Sequence, residues 1–186
     1  MKCFFDVVLS LISLVILSIP MLIVALLLKL TSKGPVLYWS DRIGRNNITF
    51  RMPKFRTMRN DTPAVATHLL KDPDRFLNQV GKFLRKYSLD ELPQLFSIIK
   101  GDMSFVGPRP ALFNQDDLIK LRTEKGVHAI APGLTGWAQI NGRDDLSIPA
   151  KVDYDEYYLT HRSIVFDVKI LLMTFYQALM GKGVKH

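Results

Sequence analysis

The chain has a single cysteine, Cys3, so it can close no disulfide within itself and cannot build a cysteine-rich zinc site. That fits a reducing, cytosolic setting. Histidine is nearly as scarce: His68, His128, His161 and His186 fall at no metal-ligand spacing and read as surface or packing residues. No repeat or low-complexity stretch is present, which excludes solenoid and fibrous architectures. Acidic residues are outnumbered, seventeen Asp and Glu against twenty-five Lys and Arg, for a formal charge of +8. Such a balance suits nucleic acid, an anionic membrane surface or a phosphorylated substrate, and does not choose among them. At 186 residues, 48% of them hydrophobic, the chain can build one compact domain and leaves no room for a second full one.

What is present is one long apolar run. Val7 to Leu28 carries no charge and would extend roughly 33 Å as a helix, enough to cross a bilayer core. The run is long for a cleaved signal and no small-residue cleavage site follows it, so it reads as an anchor. Pro20 lies within it, lacks an N–H and presses on the carbonyl of Ile16, which predicts a kink; Ser13 and Ser18 can bond carbonyls so freed. Lys2 precedes the run, and Lys29, Lys33, Arg42, Arg45 and further cations follow it. Both ends can therefore face the cytoplasm, as in a helix that dips into one leaflet and returns, although a kinked true span satisfies the physics equally. Residues 1–30 are read as the membrane anchor and 31–186 as a cytosolic or interfacial domain.

After the anchor, VLYWSDRIGRNNITFRMPKFRTM predicts short strands around a turn at Gly44 to Asn47. Arg59 to Asp74 predicts a loop with a short helix near Ala64 to Leu70. The apolar spacing predicts helices over Phe76 to Lys86, over Leu92 to Ile99 with a stop at Gly101, over Asp116 to Glu124, and over Ser163 to Met180. The last carries Asp167 and Lys169 amid apolar residues, which favours a helix lying at the membrane surface. Residues 132–158, dense in Gly, Pro, Trp and Tyr, read as loops. The fold class expected is α-rich α+β: a membrane helix broken at Pro20, then a small domain of amphipathic helices, short strands and long loops.

Long loops in a small domain usually bind or react. Arg109 sits between two prolines and Arg143 follows Asn141-Gly142; both suit bidentate contact with phosphate, and Lys54 and Arg56 add cations. Ser88-Leu-Asp-Glu91 has the spacing of a capping box, with Pro93 awkwardly placed for that reading. A helix starting at Asp90 would accommodate Pro93 and put Asp90 and Glu91 at a positive helix end, favouring their ionised forms. An ionised Asp is a usable nucleophile and an ionised Glu a usable Mg²⁺ ligand, so a cap and a reactive centre both fit. Asp153-Tyr-Asp155 has the Asp-x-Asp form of metal–nucleotide sites, a pattern short enough to arise by chance. Trp137 and Tyr154, Tyr157 and Tyr158 suit either packing or contacts to a base, a sugar or headgroups.

Together, the proline-containing N-terminal segment, KFRTM, SLDELPQLFSIIKGDMSFVGPRP and PGLTGWAQINGR resemble the bacterial sugar transferases, the monotopic phosphoglycosyl transferases. The likeness spans nearly the whole chain. It implies transfer of a phospho-sugar from a UDP-sugar to undecaprenyl phosphate with release of UMP, dependent on Mg²⁺, as the first membrane step of bacterial glycan assembly. The donor suggested by small members is an N-acetylated hexosamine or a 6-deoxy or diamino derivative, with a hexose such as galactose or glucose as the alternative. The resemblance assigns Asp90 as the nucleophile that forms a covalent phospho-sugar and Glu91 as its Mg²⁺-associated partner, with Asp90 sharing that metal role. It assigns Lys54, Arg109 and Arg143 to phosphate and nucleotide and Asp167 to support of the site; Arg56, beside Lys54 in KFRTM, is a further candidate substrate contact read from its charge. It further implies a re-entrant helix in the bacterial inner membrane with the domain on the cytoplasmic face, contact with phospholipid, and downstream glycosyltransferases as partners rather than nucleic acid. In place of the Ser that often precedes the family's proline, Ile19 stands here, and Ser40 and Pro53 replace a frequent Gln and aromatic residue. The rival reading is a non-catalytic adaptor that binds anionic lipid.

Overall fold

The computed structural model describes residues 2–59, 62, 73–142 and 145–179. The expected helix near Ala64 to Leu70 and the candidate Arg143 lie outside the described residues, as do His68 and His186.

Helix α1 (Lys2–Thr31) contains the apolar run, and its helical conformation continues through Pro20 without interruption. Ser18 Oγ donates to the Val15 carbonyl at 2.8 Å, one acceptor before the Ile16 carbonyl that Pro20 leaves unpaired. Both ends of α1 are fastened to the domain. At its start Lys2 Nζ lies 2.6 Å from Asp167 Oδ2, the Phe105 N–H donates to Asp6 Oδ1 at 3.3 Å, and Ser10 is buried. At its end Val24 and Leu28 are buried with Phe55 and Leu84. Between them Ile12, Val15, Ile16, Ile19 and Leu22 are exposed.

Strands β1 (Leu37–Ile43) and β2 (Thr49–Phe55) form an antiparallel hairpin in which Leu37 pairs with Phe55 and Ile43 with Thr49. The turn falls where the sequence predicts it; Asn46 and Asn47 adopt φ of 56° and 60°, the left-handed region that Asn tolerates better than most residues. The short strand β4 (Ala111–Leu112) adds to the other side of β1, so the sheet order is β2-β1-β4. A separate parallel pair joins β3 (Ser104–Val106) to β5 (Gly133–Thr135). It brings the SFVGPRP and PGLTGW segments so close that a Cβ on Gly133 would lie 2.1 Å from the Gly107 nitrogen and one on Gly136 2.0 Å from the Gly107 carbonyl oxygen. Only glycine permits that approach.

Helix α2 (Gly81–Lys86) is shorter than the apolar spacing from Phe76 predicts. Leu77 instead bridges to Met58, and the buried Asn78 ties its backbone N–H to the Thr57 carbonyl at 2.9 Å and its amide to the Arg56 carbonyl at 2.6 Å. Pairing with the extended chain after β2 thus displaces the first turns of the helix. Helix α3 (Gln94–Lys100) ends at Gly101, φ 89°, as its glycine stop predicts. Helix α4 (Asp116–Glu124) is the predicted one, followed by the short α5 (Trp137–Ile140).

Residues 148–158, read as loop, belong to helix α6 (Ile148–His161). Ser147 caps it, Pro149 sits in its first turn, and Val152, Asp155 and Tyr158 form its buried face. The Pro and Tyr content that suggested a loop is compatible with this arrangement, because proline is at home in a first turn. Helix α7 (Ile164–Leu179) completes the domain. Ile170 is fully buried while Val165, Leu172, Phe175 and Tyr176 are exposed, so α7 presents an apolar stripe outward. The main core joins Phe50, Met52, Leu95, Ile98, Phe105, Val106, Tyr158 and Ile170, and Leu9, Leu14 and Leu17 of α1 pack against it. The result is an α-rich α+β domain with a long apolar N-terminal helix.

Candidate active site

Asp90 and Glu91 lie in a short 3-10 turn (Leu89–Glu91) between α2 and α3. Neither expected local geometry forms. Ser88 makes no side-chain cap and adopts φ 55°, and Glu91 turns away from it, so there is no capping box. Nor does α3 begin at Asp90: Pro93 occupies its cap position and Gln94 is its first residue. The missing N–H of Pro93 is therefore accommodated before the helix rather than within its first turn. Ser88 is left-handed, and the carboxylate of Glu91 after it faces the hairpin.

There β2 supplies Lys54, whose Nζ lies 2.8 Å from Glu91 Oε1, and the Pro108-Arg109-Pro110 loop supplies Arg109, whose Nη2 lies 3.4 Å from the same oxygen. Side-chain exposure is 15% for Lys54 and 13% for Glu91, so this pair is shielded from solvent. Asp90 is 8% exposed. Burial pushes its carboxyl up to about 6; the cations Lys54 and Arg85 pull the other way and the neighbouring Glu91 adds to the rise. Because α3 begins only at Gln94, Asp90 does not hold the helix-start position expected to keep it ionised, and desolvation dominates. Lys54 is correspondingly held below the usual lysine value, first by burial and then by Arg109, against the pull of Glu91 and Asp90.

The structure therefore brings together Asp90, Glu91, Lys54 and Arg109. It turns Arg56 elsewhere: that buried guanidinium bonds Ser32 at its hydroxyl (2.8 Å) and carbonyl (3.3 Å), tying β2 to the exit of α1. Asp167 takes part in a different cluster, accepting from Lys2 at 2.6 Å and from the Tyr158 hydroxyl at 2.6 Å. Asp155 is spent on Arg122, with Nη2 and Nε at 2.6 and 2.9 Å from its Oδ2, so Asp153-Tyr-Asp155 does not present a paired metal site. Trp137 packs with Tyr157 and Phe166, ring centroids 6.0 and 5.0 Å away, and Tyr158 is buried. Arg85 and Arg122 were not anticipated as contributors. Arg122 could have been noticed as a charge on the buried Leu118 face of α4.

Among the described residues no group of three or more His, Cys, Asp and Glu forms a metal cage. Adjacent carboxylates are nonetheless a fitting donor set for Mg²⁺ shared with a substrate, since that ion takes one or two carboxylates and completes its shell with water and phosphate oxygens.

The family model for bacterial sugar transferases matches residues 1–181. Among curated relatives, the chain is 38% identical over its whole length to an uncharacterized sugar transferase of Bacillus subtilis, covering 90% of that protein. It is 36% identical to the UDP-N-acetylgalactosamine-undecaprenyl-phosphate N-acetylgalactosaminephosphotransferase of Aeromonas hydrophila, over 97% of this chain and 44% of that one. It is also 36% identical to the UDP-glucose:undecaprenyl-phosphate glucose-1-phosphate transferase of Escherichia coli, over 96% of this chain and 40% of that one. The chain thus spans less than half of these last two relatives.

Proposed function

The chain belongs to the bacterial sugar transferase family, and on that premise we propose that it transfers a phospho-sugar from a UDP-sugar to undecaprenyl phosphate, releasing UMP. The observation that carries this reading is a buried carboxylate, Asp90, beside a second carboxylate that is held by Lys54 and Arg109. A carboxylate in a cation-lined, water-poor setting can attack phosphorus while the cations take up the charge of the diphosphate. An Asp90 oxygen bonds to the phosphorus that bears the sugar, the bond from that phosphorus to the UMP oxygen breaks, and UMP departs with the electron pair. Undecaprenyl phosphate then attacks the aspartyl phospho-sugar, and the Asp90 carboxylate leaves as undecaprenyl-diphospho-sugar forms. Glu91 keeps Lys54 and Arg109 in place until the diphosphate arrives to share them. A Mg²⁺ ion, held by Asp90 and Glu91 with substrate oxygens, would supply further neutralisation of phosphate charge.

Two of the relatives named above are named for UDP-N-acetylgalactosamine and for UDP-glucose, at equal identity to this chain. For this small chain the donor we propose is a UDP-linked N-acetylated hexosamine or a 6-deoxy or diamino derivative. In the membrane, α1 is seated in one leaflet as a continuous helix bent at Pro20, with both its ends and the domain on the cytoplasmic face, where nucleotide sugar is available. Supporting this are the contacts of both Asp6 and Leu28 with a single domain and the exposed apolar residues between them. The product is then available for extension by downstream glycosyltransferases.

A panel of UDP-sugars, each incubated with undecaprenyl phosphate, Mg²⁺ and purified protein, tests reaction and donor together. UMP should form with one donor class, label next to the sugar should become covalently attached to Asp90 when the lipid is withheld, and Asp90→Asn should abolish both. Release of UDP, or full turnover by Asp90→Asn, would overturn the proposal.

A further inference from the structure

Arg109 is displayed by a peculiar piece of backbone. In Pro108-Arg109-Pro110 two of three residues have no N–H, so the loop cannot be secured by donating at those positions. It is secured by its carbonyls. That of Pro108 accepts from the Gly133 N–H at 2.8 Å, that of Arg109 from Arg122 Nη1 at 2.8 Å, and that of Pro110 from Arg42 Nη1 at 3.1 Å. The middle contact has its own support. Arg122 is 8% exposed and Asp155 1%, and two nitrogens of Arg122 converge on Asp155 Oδ2.

A buried ion pair gives little net stability over a well-packed apolar pair, because desolvation offsets the attraction. What this pair does that apolar side chains could not is aim a planar guanidinium: one edge lies on Asp155 and the remaining nitrogen reaches the Arg109 carbonyl. We propose that Arg122, oriented by Asp155, is a positioning residue that sets where the Arg109 side chain meets the substrate diphosphate. This rests on the reading of Arg109 as a phosphate contact. It also gives Asp155 a task unrelated to metal binding.

A double-mutant cycle decides the matter, using wild type, Arg109→Ala, Arg122→Lys and the double variant. Lysine keeps a cation against Asp155, but a single ammonium cannot reproduce the planar grip on both acceptors. Each protein is assayed for kcat/KM of UMP release and for UMP affinity, which needs no turnover. Alone, Arg122→Lys should lower kcat/KM by roughly tenfold to a hundredfold, the scale of a misplaced contact. In the Arg109→Ala background the same change should alter either readout by less than about twofold. If the two losses simply multiply, Arg122 acts on something other than Arg109 and the proposal falls. If Arg109→Ala leaves both readouts at the wild-type level, the reading of Arg109 itself is wrong, and the proposal falls with it for that separate reason. Should Arg122→Lys fail to fold, Asp155→Asn, which keeps the shape but removes the orienting charge, enters the same cycle with the same expected non-additivity.

Discussion

At the scale of one residue, Asp90 as the proposed nucleophile must be ionised to react, yet it sits where ionisation is costly. Its carboxyl is raised from 3.8 to about 6, with burial as the leading cause. For the first half-reaction, kcat/KM should therefore climb with pH along a limb of apparent pKa near 6 and level off above it; a limb near 4 would place the reactive carboxylate in water. Stability should run the opposite way. A carboxyl that binds its proton more tightly when folded lends stability that is complete below about pH 4 and lost as pH rises through about 6. At pH 8 the ionised Asp90 then costs the fold up to about 3 kcal/mol, the equivalent of its shift. Asp90→Asn, inactive under the proposed reaction, should raise the apparent Tm by up to about 6–12 °C at pH 8 and by about a third of that at pH 4.5. A lower Tm at pH 8 would mean that the carboxylate stabilises its surroundings instead of being strained by them.

At the scale of elements, legibility in the sequence followed the range of the interactions involved. Helices α4 and α7 and the glycine stop of α3 were readable because spacing and capping are local. The hairpin was readable because Gly44 and the asparagines mark its turn. The first turns before α2 were not, since the pairing of Leu77 with Met58 competes with helix there, and α6 was hidden by residues that suit loops and first turns alike. Of the candidate site, the dyad with Lys54 and Arg109 could be named from motifs, but its electrostatics depend on burial that no local pattern encodes. Ser88 shows the difference most sharply. As an N-cap, replacing it with Gly would cost a few tenths of a kcal/mol; at φ 55° it is instead a strained residue that Gly relieves. Ser88→Gly should thus hold the stability or raise it by up to about 1 kcal/mol, whereas Ser88→Val should lower it by about 1–2 kcal/mol. Thermal unfolding of the two variants checks this, and destabilisation by Gly would restore the capping role.

At the scale of the whole molecule, the unusual fact is that a helix long and apolar enough to cross a membrane is gripped by one domain at both ends. A straight span would carry its two ends roughly 30 Å apart across the hydrocarbon core. Here Lys2 and Asp6 contact Asp167 and β3 at one end, and Val24 and Leu28 contact Phe55 and Leu84 at the other. The exposed stripe of α7 and the outward side chains of α1 supply the apolar surface that the proposed shallow seat requires, and a formal charge of +8 favours an anionic leaflet. The lone cysteine makes the topology measurable without altering the chain, because Cys3 is exposed and lies beside Lys2 at the start of α1. With both ends on the cytoplasmic side, a membrane-impermeant maleimide should label Cys3 in inverted membrane vesicles and leave it untouched in intact spheroplasts until detergent is added. A helix that spans would reverse the pattern, labelling from outside, and would require Lys2 to leave Asp167, so the same result would also decide whether that ion pair exists in the membrane-bound protein.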